Sequence, residues 1–132
     1  MTITTARFLI LGLIPFSVTA CGARSPVAPS APAVATMRVG TESFRVLLPT
    51  DELVAAARAA MGGGSSRILN GVIRLGTQVN TGYSWHLEEL SFAEVAIELC
   101  DGTPSMVEQQ GTAFGAGRFC PWNARVVSIT PN

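Results

Sequence analysis

Residues 43–61, SFRVLLPTDELVAAARAAM, change their apolar period halfway along. Phe44, Val46 and Leu48 alternate with polar or second-face residues, the mark of a half-buried strand, and Pro49 ends it. Thr50 then stands where it can cap a helix. Asp51 and Glu52 occupy the first turn, where carboxylates favour the positive end of the helix dipole. Leu53, Ala56, Ala57, Ala60 and Met61 fall on one face of that helix, and Gly62-Gly63-Gly64 stops it. The alanines keep this face flat, so the helix can lie close against a sheet.

Downstream, residues 68–75 (ILNGVIRL) predict a second strand, with a bulge or irregular start at Asn70-Gly71. Residues 78–83 form a loop. Residues 92–100 (FAEVAIELC) give the strongest strand signal in the chain, with Ala93, Val95, Ile97 and Leu99 lining one face and Glu94 and Glu98 the other. After the turn signal Asp101-Gly102, Ser105 and Glu108 have capping-box spacing, which predicts a short helix through about Gln110. Residues 111–118 are glycine-rich and loop-like, and residues 125–129 make a final short strand. These elements predict an α+β domain: a small antiparallel sheet of about four strands, one covering helix, a short second helix and one disulfide.

Upstream of this domain the chain reads as an export and anchoring signal. Residues 1–7 carry a single positive charge at Arg7, residues 8–18 (FLILGLIPFSV) form an apolar core of the length expected of a signal peptide, and small residues precede Cys21. The apolar run is too short to span a bilayer, and Pro15 interrupts it. Val18-Thr19-Ala20-Cys21 fits the lipobox of bacterial lipoproteins better than an ordinary small-x-small cleavage site. The expectation is a signal peptide over residues 1–20 and acylation of Cys21, which anchors the chain to the cell envelope on its extracytoplasmic side. Residues 21–37, rich in Pro, Ala and Ser, read as an extended tether, and residues 38–132 as the single domain.

Composition limits the partners. Nine arginines, no lysine and nine acidic residues balance to a net charge of zero, so no basic excess is available for nucleic acid. With Cys21 acylated, Cys100 and Cys120 are the remaining pair in a compartment where thiols oxidise, and a bridge closing a loop of this length is worth about 3 kcal/mol. The competing reading, a metal or nucleophilic pair, lacks C-x-x-C spacing and has only His86 to complete it. No metal and no cofactor is therefore expected.

A run of motifs carries a resemblance. Gly82-Tyr83-Ser84-Trp85-His86-Leu87 is followed by Glu94 to Gly102 (EVAIELCDG), then by Met106-Val107-Glu108, then by Phe119-Cys120-Pro121-Trp122-Asn123-Ala124-Arg125. In this order the motifs resemble the N-terminal domain family named after the calmodulin-binding protein "BP seventy-four", and the similarity extends over roughly residues 44–129. The resemblance implies the domain type but little about activity. Calmodulin is not expected as a partner: its targets offer a basic amphipathic helix, whereas residues 51–61 hold one arginine, Arg58, against two acids. The linker between Glu108 and Phe119 is shorter than the family pattern.

Several residues invite a functional reading. His86, beside Trp85, has the chemistry of a general base, but without a second histidine it reads better as a hydrogen-bonded structural residue near the start of a strand. Phe119 and Trp122 around Cys120 either pack the cystine or expose a binding wedge, and packing is the expected outcome. Arg118 and Arg125 either clamp a carboxylate or pair internally with Glu98 or Asp101, the latter preferred. The glycine-rich 111–117 segment lacks a P-loop ending. The expected function is thus a surface-tethered binding module for an unidentified protein or small ligand. Its contact surface comprises residues 83–86 and 111–122, with Tyr83, Trp85, His86, Trp122 and Arg125 as contact residues. The alternatives are a protease-inhibitor-like module built on the disulfide-pinned loop, and a small enzyme using His86 with Asp101 or Glu98.

Overall fold

In the computed structural model, residues 28–61 and 67–132 are described, and the first hairpin starts the domain earlier than composition suggests. Strand β1 (Ala33–Val39) pairs antiparallel with β2 (Glu42–Leu48) across a tight turn, where Gly40 takes φ +58° without the Cβ penalty another residue would carry. Ala33, Ala35, Met37 and Val39 point inward and are buried. Residues 33–37 therefore belong to the domain and not to the tether. Their pattern is hard to see in the sequence because two of the inward residues are alanines and the stretch follows a proline-rich run. The lipobox, the signal peptide, most of the tether and Gly62-Gly63-Gly64 lie outside the described residues.

Helix α1 (Asp51–Met61) has the predicted bounds, and Thr50 Oγ1 accepts the Leu53 amide at 3.4 Å. Its buried residues are Val54 and Ala57, while Met61 is half exposed. The apolar face is therefore rotated toward Val54 from the one expected. Strand β3 (Ile68–Leu75) also has the predicted bounds, and its register against β4 (Trp85–Ala93) shifts between Asn70 and Val72. At Gly71 an added Cβ would come within 2.9 Å of Leu90 and 3.0 Å of Leu87, so the bulge brings backbone against side chains where only glycine fits.

The strand expected over residues 92–100 is not formed. Strand β4 starts earlier, at Trp85, and ends at Ala93 opposite Ile68, the first residue of β3. Beyond Ala93 no partner strand is found among the described residues, and Val95, Ile97 and Leu99 are 81%, 60% and 65% exposed. The real strand is hidden in the sequence because its alternation, Trp85 and Leu87 inward, breaks at a bulge in β4, where Glu89 and Leu90 stand opposite the single residue Gly71 of β3 and Glu89 takes φ +48°. A short 3-10 turn (Glu98–Cys100) then leads to helix α2 (Pro104–Gln110). The capping box is not made. Thr103 is the N-cap residue, Ser105 bonds to Glu42, and Glu108 accepts the Ser84 amide. Residues 111–117 coil into a kinked 3-10 segment with Phe114 buried, so they are not the open loop expected. Two short strands follow, β5 (Arg118–Phe119) on β3 and β6 (Arg125–Pro131) on β1.

The fold is α+β with small antiparallel sheets, as expected, but its six strands divide into two sheets of three, ordered β2-β1-β6 and β4-β3-β5. Helix α1 packs against strands of both. An aromatic cluster joins them. Phe44 of β2 lies 5.8 Å from Trp85 of β4 and 5.4 Å from Phe119 of β5, and Trp85 meets Phe119 edge to face at 5.6 Å. Such pairs add about 0.5–1.5 kcal/mol each beyond simple burial. Cys100 and Cys120, both fully buried, form the disulfide with Cα atoms 5.1 Å apart.

Asn80, fully buried, crosses the gap between the sheets: its Oδ1 accepts the Arg45 amide of β2 at 2.9 Å and its Nδ2 donates to the Trp85 carbonyl of β4 at 3.0 Å. Asn80→Ala leaves a buried amide and a buried carbonyl without partners, and the expected cost is about 2–4 kcal/mol. A urea titration that finds less than about 1 kcal/mol would refute this role. Replacing both bridge cysteines by alanine is expected to cost about 3 kcal/mol in the same titration, because the 20-residue loop is then free in the unfolded chain.

Candidate functional site

Asn80 also shapes the loop that joins β3 to β4. Its own amide donates to the Thr77 carbonyl and its carbonyl accepts from the Tyr83 amide, while Thr77 Oγ1 donates to the Tyr83 carbonyl. The loop is thereby folded on itself and laid against β2, where Arg45 Nη1 donates to Thr81 Oγ1 at 3.2 Å. Tyr83 emerges half-buried, its ring tilted against Trp85 with centroids 5.4 Å apart.

Two carboxylates close this side. Glu42, at the end of the first hairpin, accepts the Ser105 amide at 2.8 Å and its hydroxyl at 2.9 Å, which ties β2 to the start of α2. Glu108 accepts the Ser84 amide at 2.9 Å. The Tyr83 phenol sits between them, and its pKa is raised above the usual value of 10.0 by burial first, then by the charge and hydrogen bonding of Glu42, then by the charge of Glu108. The phenol stays protonated at the rim, its proton turned to Glu42.

On the other side the disulfide fixes the second loop. The Cys120 amide donates to the Cys100 carbonyl at 2.8 Å, the Trp122 amide to Asp101 Oδ1 at 2.8 Å, and the Ala124 amide to the Pro121 carbonyl at 3.1 Å. Residues 121–124 thus make a tight, supported turn. Trp122 at its tip is 44% exposed, whereas Phe119 is fully buried in the aromatic cluster with Phe44, Trp85 and Phe114. The hairpin turn at 40–41, the 76–84 loop, the start of α2 and the 121–124 turn together form one rim.

The sequence-predicted contact residues divide across this rim. Tyr83, Trp122 and Arg125 are accessible on it. Trp85 is not: it is 1% exposed, at the centre of the aromatic cluster, and its Nε1 has no partner. His86 is held by β4, with Nδ1 donating to the Gly76 carbonyl at 2.6 Å and Nε2 at 3.3 Å from Glu88 Oε1. Neither Asp101 nor Glu98 is its hydrogen-bond partner. The internal ion pairs preferred for the arginines are absent as well. Arg118 donates through Nε and Nη2 to Asn70 Oδ1 at 3.0 and 2.7 Å, and Arg125 is exposed.

Asn80, Glu42, Glu108 and Ser105 escape sequence reading. Asn80-Thr81-Gly82 signals only a turn, and its partner at Arg45 is 35 residues away. Among the described residues no group of three or more His, Cys, Asp and Glu side chains is placed to hold a metal ion, and no helix is long and apolar enough to cross a membrane.

The family model of the "BP seventy-four" N-terminal domain matches residues 31–132, so the chain belongs to that family. No curated protein and no solved structure matches the chain.

His86 and Arg74 together lower the pKa of the Glu88 carboxyl below its ordinary 4.5, the histidine hydrogen bond contributing most. A carboxyl with a depressed folded pKa stabilises the fold above its unfolded pKa, and that contribution is lost as pH falls through the folded value. Below pH 4.5 the melting temperature of the wild type should therefore fall more steeply than that of Glu88→Gln. Because the pair is exposed, the difference should shrink in high salt. Parallel melting curves against pH would contradict the assignment.

Proposed function

We propose that this member of the "BP seventy-four" N-terminal domain family is a lipid-tethered, extracytoplasmic binding module that engages a partner through the rim bearing Tyr83, Trp122 and Arg125. The tether reading is supported by the lipobox at residues 18–21 and the apolar run before it. The binding reading is supported above all by Trp122, a large aromatic side chain held out from a turn that the disulfide and Asp101 keep in place. An exposed tryptophan on a rigid support is the residue type that dominates interface energies, because it buries much area while little freedom is lost on docking.

A second reading has its own support. Residues 121–124 are fixed at Cys120, at Trp122 and by the turn at Ala124, and a rigid, protruding loop is what a protease-inhibitor-like module presents to an active-site cleft. Catalysis through His86 has less support, since both ring nitrogens already face acceptors within the chain.

Trp122→Ala and Tyr83→Ser decide the matter when compared with the wild-type chain in capture from native envelope. Loss of the tryptophan is expected to weaken capture by roughly thirtyfold, the equivalent of about 2 kcal/mol, with an unchanged melting temperature. Equal capture by the wild type and Trp122→Ala would defeat the binding reading. A protease panel separates the second reading: inhibition by the wild type that Trp122→Ala relieves supports it, and indifferent kinetics dismiss it. For the tether, mass spectrometry of native protein is expected to find Cys21 acylated.

A further inference from the structure

The outer face of the first sheet has an unusual charge pattern for a chain with no net charge. Reading across β2, β1 and β6, one row holds Ser43, Arg38 and Arg125, and the next holds Arg45, Thr36 and Ser128. These rows contain three arginines and three hydroxyls and no carboxylate. Arg45 is engaged by Thr81. Arg38 and Arg125 have neither hydrogen-bond nor ion-pair partners among the described residues, and both are exposed.

Arg38 and Arg125 are direct cross-strand partners. Side chains so placed start about 4.5–5.5 Å apart at Cβ, and like charges there destabilise a sheet. No carboxylate among the described residues lies within ion-pair distance of either to offset this repulsion. Arg38 and Arg125 line an open hollow of about 450 Å³ together with Asn123 and Gly40. No side chain crowds the Gly40 backbone, since a Cβ there would meet nothing within 4 Å. The hollow is thus lined by two planar cations, one carboxamide and one open stretch of main chain.

We propose that Arg38 and Arg125 form a clamp for a phosphate group. One guanidinium satisfies both oxygens of a carboxylate, whereas two on facing strands present parallel pairs of donors that suit an anion with three or four oxygens. The bound anion removes the cross-strand repulsion, and Asn123 supplies a further donor. This rests on the binding-module reading and gives its Arg125 corner a ligand chemistry. A free phosphate or phosphomonoester and the headgroup of a phospholipid share that chemistry.

The test uses the full chain with two probes, inorganic phosphate and the soluble short-chain lipid dihexanoyl phosphatidylglycerol, followed by amide shifts of Gly40 and Asn123. Saturable shifts are expected, with affinity falling about tenfold or more in both Arg38→Met and Arg125→Met and weakening as salt is added. Tighter binding of inorganic phosphate assigns the clamp to free phosphates, and tighter binding of the lipid assigns it to headgroups. The variants should melt no lower than the wild type, because each relieves a like-charge contact. No saturation by either probe, or saturation indifferent to both substitutions, overturns the clamp. Trp122→Ala separates this from the rim: it should weaken partner capture by the same roughly thirtyfold while leaving phosphate binding intact, so either reading can fail alone.

Discussion

A single buried carboxamide holds the two halves of this domain in register. Each sheet has only three strands, too few to bury both of its faces alone, and the aromatic cluster between them is apolar and carries little directional information. Asn80 supplies the direction. By accepting from Arg45 and donating to Trp85 it fixes how far β2 can slide along β4, and a fully buried amide that lost either bond would be costly. The same residue folds the 76–84 loop, so the geometry that sets the sheet interface also sets Tyr83 at the rim.

The disulfide does corresponding work on the opposite flank. It holds the 3-10 turn against the end of β5 and gives the 121–124 turn a fixed base. Two loops distant in sequence are in this way presented together, one braced by a hydrogen-bonded amide and the other by a covalent bond. The accessible polar groups are sorted around them, with Glu42 and Glu108 beside Tyr83 and the unpaired arginines on the outer face of the first sheet.

Much of this is legible where local physics dominates. The period change at residues 43–61 locates β2 and α1, the Asn70-Gly71 break locates the register shift between β3 and β4, and the cysteine count locates the disulfide. What misleads is alternation without a partner. Residues 92–100 have the pattern of a strand, but pairing is decided by β3, which runs out at Ile68, whereas β4 is disguised by its bulge at Glu89-Leu90. Strand β1 is hidden by small side chains. Of the site, Tyr83, Trp122 and Arg125 can be named because exposed aromatics and arginines near turns stand out. Trp85 is misplaced by such reasoning because the same residue type serves core and surface, and Arg38 gains meaning only from the register that sets it across from Arg125.

The bulge at Glu89-Leu90, beside Glu88, has a consequence beyond register. It lies on β4, an open border of the second sheet, immediately before an exposed run containing Val95, Ile97 and Leu99. A flat border of that kind is a template on which another copy could add its own strand and begin a fibril. Here the bulge twists the border, and two adjacent carboxylates place negative charge where the incoming backbone would have to dock. Self-stacking is thereby discouraged without covering the run, so the chain can keep greasy residues in water even when many molecules crowd side by side.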